Sequence, residues 1–361
     1  MADRRTNILE RLQRGDSLAG ADLRGIDLSG ARCYATAADG TIHQGADLRG
    51  ANLAGANLAA ADLLDADLTG AILASARLQG TYLFGTNLTD ADCSGVDAVR
   101  LHCYSTTAPK SRWEGANLTE AQLTACSFAG ASLVAATLNA ANLSGTDFTG
   151  ADLRGVRARG ADCAGARFGG AHLEDGNWQH CRLTACDLTG ARIARTDCQG
   201  AVLGSPQQKP ATCHGTDFTD ADLRHSHCYG VAFTSADLSG VAFDGANCSH
   251  ADFTDATVDC NTRFKGTTLF EAQFVRVALS AVSFNSAKLF RTALTQEQLG
   301  EKIVEECLGE YAAARLVYIN LAENFKELGL ATEMSWAKRR AELMRRRAEQ
   351  VHSQMHQVLE P

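Results

Sequence analysis

Thirteen cysteines, ten histidines and 42 acidic residues are the side chains of this chain with chemistry to offer. The cysteines are scattered, without the close pairs that zinc ribbons or dithiol redox motifs require. One cluster concentrates possible soft-metal ligands, His225-Ser226-His227-Cys228. The chain has a five-residue period that puts Cys228 in an inward slot and His225 and His227 in outward ones, so one ion could not be shared. There is no GxxxxGK[ST], no GxGxxG between a strand and a helix, no HExxH, and no Ser or Cys beside a plausible base. The sequence therefore points away from catalysis, and no metal or cofactor is expected.

That period is the organising fact. From Ala46 the chain restarts every five residues: ADLRG, ANLAG, ANLAA, ADLLD, ADLTG, AILAS, ARLQG. A period of five matches neither a helix nor a strand, so each unit must contain its own change of direction. The central apolar slot, i, is Leu at 48, 53, 58, 63, 68, 73, 78, 83 and 88, and slot i−2 is small or β-branched, as at Ala46, Ala51, Thr81 and Val96. Slot i must fill an interior, i−2 a tight corner beside it, and the polar slots face water. Composition agrees: 45% hydrophobic but only 6% aromatic, with 33 Gly and 4 Pro, suits a narrow repeated interior better than a broad globular core. With a net charge of −8 at this hydrophobicity, disorder is not expected.

The unit A(D/N)LXX, repeated through most of 16–294, resembles the pentapeptide-repeat proteins. That resemblance implies an all-β solenoid, a right-handed quadrilateral β-helix with four pentapeptides per coil. At ~4.8 Å between coils it would have roughly 13 of them. Residues twenty apart should then stack, which would bring together the rings of Phe128, Phe148 and Phe168, and those of Phe233 and Phe253. Cys33, Cys93, Cys103, Cys163, Cys198, Cys213, Cys228 and Cys248 fall at i, and Cys126, Cys181 and Cys186 at i−2, as small interior hydrophobes. Cys260 and Cys307 fall outside and are the candidate reactive thiols.

Acidic residues recur at slot i−1. Asp47, Asp67 and Asn87 should form one column, with Asp152, Asp222 and Asp252 on other faces, and together they are the candidate interaction surface. Asp and Asn there can satisfy backbone donors at each corner. Alternatively they can imitate DNA phosphates, since some family members mimic a duplex and bind DNA gyrase, inhibiting it or protecting it from quinolones. Acidic residues outnumber basic ones over 16–296, but Arg154, Arg157, Arg159, Arg167, Arg182, Arg192 and Arg195 interrupt the middle, unlike a row of phosphates. The reading favoured is a non-enzymatic scaffold for an unidentified protein partner, with a gyrase-directed mimic as the rival. No direct nucleic-acid binding is expected.

Interruptions in the register mark loops near 34–45, 101–112 and 204–213. One extra residue near 259–262 reads as a bulge, after which the centres move to Phe264, Leu269 and Phe274. The repeat spans 16–295 and each open end needs a cover. Residues 1–15 supply a short helix, with Ile8, Leu9 and Leu12 on one face and Gly15 as its stop. Residues 296–361 read as a helical hairpin about Gly329, one helix over about 296–328 and the other over about 332–358. The second carries a three-four seam, Met334, Ala337, Ala341, Met344, Ala348, Val351, Met355 and Val358, a candidate for homodimerisation in coiled-coil fashion as much as for capping. Lys338-Arg339-Arg340 and Arg345-Arg346-Arg347 recur seven residues apart on one helical surface. The tail also resembles a helical region that precedes membrane spans in some larger pentapeptide-repeat proteins, so the soluble part of a membrane-associated protein is a third reading. No apolar run reaches ~18 residues and the start lacks a signal peptide's core, which makes a cytoplasmic location the expectation.

Overall fold

The computed structural model describes residues 2–36 and 41–359. The chain divides into two compact units, Met1–Asp197 and Cys198–Pro361. The first holds α1 (Ala2–Arg14), β1 (Tyr34–Thr36) and β2 (Ile42–Gly45); the second holds β3 (Val202–Gly204), β4 (His227–Cys228), α2 (Gln296–Leu299), α3 (Val304–Cys307), α4 (Tyr311–Glu327) and α5 (Ala331–Leu359).

Everything else in the repeat is built from single bridge residues and turns. The bridge residue is slot i−1, paired in parallel with the residue twenty further on: Asp67 with Asn87, Asp152 with His172, Asp217 with Asp237. The turn follows at once. The carbonyl of Leu48 accepts from the Ala51 amide at 3.0 Å, and between them Gly50 sits at φ 59°. Where the same slot holds Ala60, it is forced to φ 55°, a conformation that costs an L-residue of that kind about 1–2 kcal/mol. The remaining backbone groups reach the neighbouring coils, as Leu48 N to Asp67 O and Asp67 N to Ala46 O, both 2.8 Å. Pairing between coils thus supplies what helices and long strands supply elsewhere.

In the first unit the interior is mostly leucine, buried at Leu48, Leu53, Leu58 and onward, beside fully buried alanines at i−2. A ring stack crosses it: Phe128 on Phe148 at 5.5 Å and Phe148 on Phe168 at 5.3 Å. The second unit has two such stacks, Phe233–Phe253–Phe274 and Phe243–Phe264–Phe284. They meet edge to face, with Phe253 and Phe264 inclined at 89° and 5.7 Å apart. Ring spacing near 5 Å is what the coil repeat imposes, and an edge-on neighbour completes the quadrupole preference. Buried threonines at i−2 add a stitch. Thr146 Oγ1 donates to Leu123 O and Thr267 Oγ1 to Phe243 O, each at 2.7 Å, and Cys186 Sγ makes the equivalent contact to Cys163 O at 2.9 Å.

The interruptions differ in kind. At 34–45, β1 and β2 pair antiparallel with Tyr34 opposite Gly45, and pairing resumes on either side at thirty residues' separation, as Asp22 with Asn52. Residues 37–40 of that expected loop lie outside the described residues. At Ser205–Gln208 a small turn leaves the coil, closed at its neck by Ala211 N to Leu203 O at 2.7 Å. Expectation and structure part at 101–112. No loop leaves there: Tyr82–His102, Asn87–Thr107 and Asp92–Arg112 keep the twenty-residue pairing, and Leu101, Cys103, Thr106, Ala108 and Ser111 are buried. Pro109 fits because its slot, i+1, faces outward and needs no amide hydrogen for the ladder. At 259–262 a single residue is inserted, so Ala242 pairs with Arg263. Asp259 holds the bulge by accepting from the amides of Gly240, Asn261 and Thr262 at 2.8–3.0 Å.

Both caps work by satisfying backbone. Helix α1 spans Ala2–Arg14, buries Ile8 and Leu12, and is followed by Gly15 with φ 78°. Its arginines reach down to free carbonyls: Arg4 to Asp22 O, Arg5 to Ser29 O and Arg11 to Ser17 O, at 2.7–3.0 Å. At the other end, the single helix expected over 296–328 is three. Gly300 at φ 75° and Gly309 at φ 76° end the first two segments, because each turns the chain left-handed where a helix cannot continue. Helices α4 and α5 then pack together, with Tyr318 edge-on to Trp336 at 5.3 Å. A buried Glu306 locks them to α3. It accepts from the Tyr318 hydroxyl at 2.8 Å and pairs with Arg340 at 2.7 Å and Arg347 at 3.1 Å. Burial pushes the Tyr318 hydroxyl up to about 12.

Candidate interaction surface

Asp47, Asp67 and Asn87 do form one column, bridged Asp47–Asp67 and Asp67–Asn87. Each points its side chain back at its own turn. Asp67 Oδ1 accepts from Thr69 N at 3.0 Å and Thr69 Oγ1 at 2.6 Å, and Asn87 Oδ1 accepts from Thr89 N at 3.1 Å. Asp252 Oδ1 likewise accepts from Thr254 N at 2.9 Å. The other three are claimed by an arginine two residues on. Asp47 meets Arg49 Nε at 2.8 Å and Nη2 at 2.9 Å, Asp152 meets Arg154 Nη2 at 2.6 Å, and Asp222 meets Arg224 Nη2 at 2.6 Å. These guanidinium hydrogen bonds hold the Asp47 carboxyl well below the usual carboxylate range and lower that of Asp152. For Asp222, partial burial opposes the shift, and the Arg224 contacts outweigh it.

Five of the seven middle arginines that break the acidic rows, Arg154, Arg167, Arg182, Arg192 and Arg195, are themselves ion-pair partners. Arg167 pairs with Asp147, Arg182 with Asp162 and Arg195 with Asp175, each joining neighbouring coils. Arg263–Asp244 and Arg276–Asp255 repeat the device in the second unit. Paired carboxylates of this kind present dipoles rather than bare charge.

Of the cysteines, Cys260 and Cys307 are exposed and the other eleven buried as free thiols. Burial pushes the Cys33 thiol up to about 12 and raises the Cys93 thiol as well. Cys228 is buried while His225 and His227 are exposed, and among the described residues no group of three ligand types is placed to hold a metal ion.

The α5 seam is divided between two environments. Ala337, Ala341 and Met344 are buried against the hairpin, Met334 and Ala348 are half-buried, and Val351 is 38% exposed. Met355 and Val358 belong to α5, but their side chains lie outside the described residues. Four of the six residues in the basic runs are paired, while Lys338 and Arg339 are exposed. Arg340 and Arg347 turn inward to Glu306, and Arg345 and Arg346 pair with Glu342.

Two features escaped the sequence reading. One is a cleft of about 650 Å³ at the end of the second unit, bounded by Phe274, Val275, Leu294, Gln298, Leu328 and Leu330. It depends on where the α4–α5 turn lands, for which the repeat holds no signal. The other is a group of exposed rings, Tyr82, Phe84 and Tyr104, in outward slots that more often carry polar or small residues. Their departure from the slot pattern was the available signal.

Against known proteins, the family profile for pentapeptide repeats matches in 8 copies, over 39–73, 116–155, 138–175, 161–197, 211–240 and 233–259. The chain is a member of the pentapeptide-repeat family, and its fold is that family's right-handed quadrilateral β-helix. No curated protein sequence matches it. Among solved structures it is similar to HetL, a pentapeptide repeat protein involved in heterocyst differentiation regulation from the cyanobacterium Nostoc sp. strain PCC 7120. Identity is 20%, over 73% of this chain and 96% of that one, at a TM-score of 0.36. It is also similar to full-length QnrB1, a plasmid-mediated fluoroquinolone resistance protein, at 16% identity over 79% and 98% of the two chains and a TM-score of 0.19. Rfr23 from the cyanobacterium Cyanothece 51142 matches at 17% identity over 38% and 90%, with a TM-score of 0.17.

Proposed function

We propose that this protein is a non-enzymatic scaffold that presents a rigid, mildly acidic β-helical surface to a protein partner in the cytoplasm. One observation carries the reading. Three of the five candidate aspartates, Asp47, Asp152 and Asp222, are each engaged by an arginine two residues away, so the surface is mixed in sign instead of running uniformly negative. The stacked coils favour this use, since a surface pinned by backbone pairing loses little entropy when it binds. The overhang of α5 supports a second part of the proposal, that two copies associate. At 1.5 Å per residue the 29 residues of α5 outreach the 17 of α4, and Val351, towards the far end of α5, is 38% exposed at the rim of a cleft it shares with Tyr311 and Ala312 of α4. Among the described residues no helix is long and apolar enough to cross a membrane.

Supercoiling by purified DNA gyrase, measured over a salt series, tests the reading against its rival. A scaffold leaves supercoiling unchanged at every salt concentration. Inhibition, or relief of quinolone poisoning, that fades as salt rises would replace it with DNA mimicry and make Asp67 and Asp252 the first residues to change.

A further inference from the structure

Two adjacent coils of the first unit carry rings on their outer face. Tyr82 and His102 occupy the bridge slot of successive coils and lie nearly parallel, 4.7 Å apart at 9°. Phe84 stands edge-on to Tyr82 at 5.9 Å and 70°. Tyr104 follows Phe84 one coil on, their strands joined by Gly85 N to Tyr104 O at 3.2 Å. Tyr82 and Phe84 are each 40% exposed and Tyr104 is 56% exposed. These slots elsewhere hold Arg, Ala, Leu and Val as well as polar residues, and what sets this place apart is that three exposed rings and a histidine gather on two adjacent coils. Held by paired backbone, they form a platform that needs no ordering before use.

A carboxylate completes the platform. Asp65 is exposed, precedes Gly85 by one coil, and makes no ion pair among the described residues. Its Oδ1 lies so close over Gly85 that a Cβ there would meet it at 2.1 Å. Gly85 is therefore what lets the Asp65 carboxylate lie beside the strand that carries Phe84. Asp62, bridged to Tyr82 on one side and to Arg32 on the other, adds a second acid, while Arg100 and Glu120 lie at the neighbouring corner on successive coils with opposite charges.

We infer that Tyr82, Phe84, His102, Tyr104 and Asp65 form a docking site for an arginine side chain of a protein partner. A guanidinium is the group that suits both components. Its plane stacks on aromatic faces, whose quadrupole attracts cations, and its edge donates to a carboxylate. A carboxylate-bearing partner would meet Asp62 and Asp65 as like charges. The assignment rests on the scaffold reading and gives it a place and a chemistry.

The test is an NMR titration of the full chain at low salt with three blocked hexapeptides, alike except for two central residues that are arginine, glutamate or glutamine. The arginine peptide should shift the Tyr82, His102 and Tyr104 ring signals saturably. Binding should weaken roughly tenfold in Tyr104→Ala and in Asp65→Asn. The glutamate and glutamine peptides should leave the rings unmoved. Shifts that persist unweakened in both variants, or equal shifts with glutamine, would overturn the site, as would no response to arginine. Asp65→Asn changes only an exposed group, so it remains informative if Tyr104→Ala melts early. Failure here with unchanged gyrase activity would leave the scaffold reading on another face, whereas gyrase inhibition would remove that reading whatever the peptides do.

Discussion

Asn324 of α4 gives both ends of its amide to one residue of the last coil. Its Oδ1 accepts from Thr292 N at 2.8 Å and its Nδ2 donates to Thr292 O at 3.0 Å. Both residues are buried. The side chain thus takes the part of the coil that would have come next, closing an edge that would otherwise recruit strands from elsewhere. Gln298 does similar work nearby, donating to the Val277 carbonyl at 3.1 Å.

Replacing Asn324 with leucine should therefore strand two backbone groups of Thr292, at a cost of roughly 2–4 kcal/mol. The expected result is a lower urea midpoint together with aggregation that the parent chain does not show. Light scattering during the titration reads both, and an unaltered midpoint would mean the amide clamp contributes nothing.

The inward and outward assignment can be tested at adjacent positions. Leu138 is fully buried, whereas Asn139 is half-buried with its Oδ1 accepting from Arg159 N at 3.0 Å. Leu138→Asp loses ~1.5–3 kcal/mol of burial and adds the penalty of an unpaired charge, and should not fold stably. Asn139→Asp keeps the acceptor and should melt within a few degrees of the parent. Similar melting temperatures for the two variants would refute the register.

Thiol chemistry should count two residues in the native state. Cys260 and Cys307 are exposed, and the eleven others are buried, with burial raising the Cys33 and Cys93 thiols. A chromogenic disulfide at pH 8 should titrate about two thiols rapidly and all of them in denaturant. Rapid native reaction of many more would show that the coils open easily.

Acid should weaken the fold in a defined window. Arginine hydrogen bonds depress the carboxyls of Asp47, Asp152 and Asp255 below their unfolded values. A depressed folded pKa contributes stability that is complete above the unfolded value, ~3.9, and is lost as pH falls through the folded one. The urea midpoint should be flat from pH 7 to about 5 and fall steadily below about 4. A midpoint unchanged down to pH 3 would mean these pairs add nothing to folding.

Association should depend on the free end of α5. Val351→Glu places a charge on the exposed part of the seam and leaves the buried Ala337, Ala341 and Met344 untouched. Sedimentation should show a dimer for the parent and a monomer of equal thermal stability for the variant. Identical sedimentation of the two would remove the seam as an interface.

The repeat unit, the residues that point inward, the fate of the cysteines and the one-residue bulge were all legible in the amino-acid order, because each follows from a strict period applied to side-chain size. The stack of Phe128, Phe148 and Phe168 follows in the same way, once four units per coil are granted by resemblance. Packing settled whatever the period does not encode. Whether 101–112 leaves the coil depends on whether its backbone finds partners above and below, and it does, at Tyr82–His102 and Asp92–Arg112. The breaks at Gly300 and Gly309, the partition of the α5 seam and the clamp of Asn324 on Thr292 depend on how the tail meets the last coil, a contact between segments that share no periodicity. Even the aspartates at i−1 were legible only as positions. Their charge was settled by where neighbouring arginines come to rest, and the pairing of Asp47 with Arg49 is a matter of distance rather than composition.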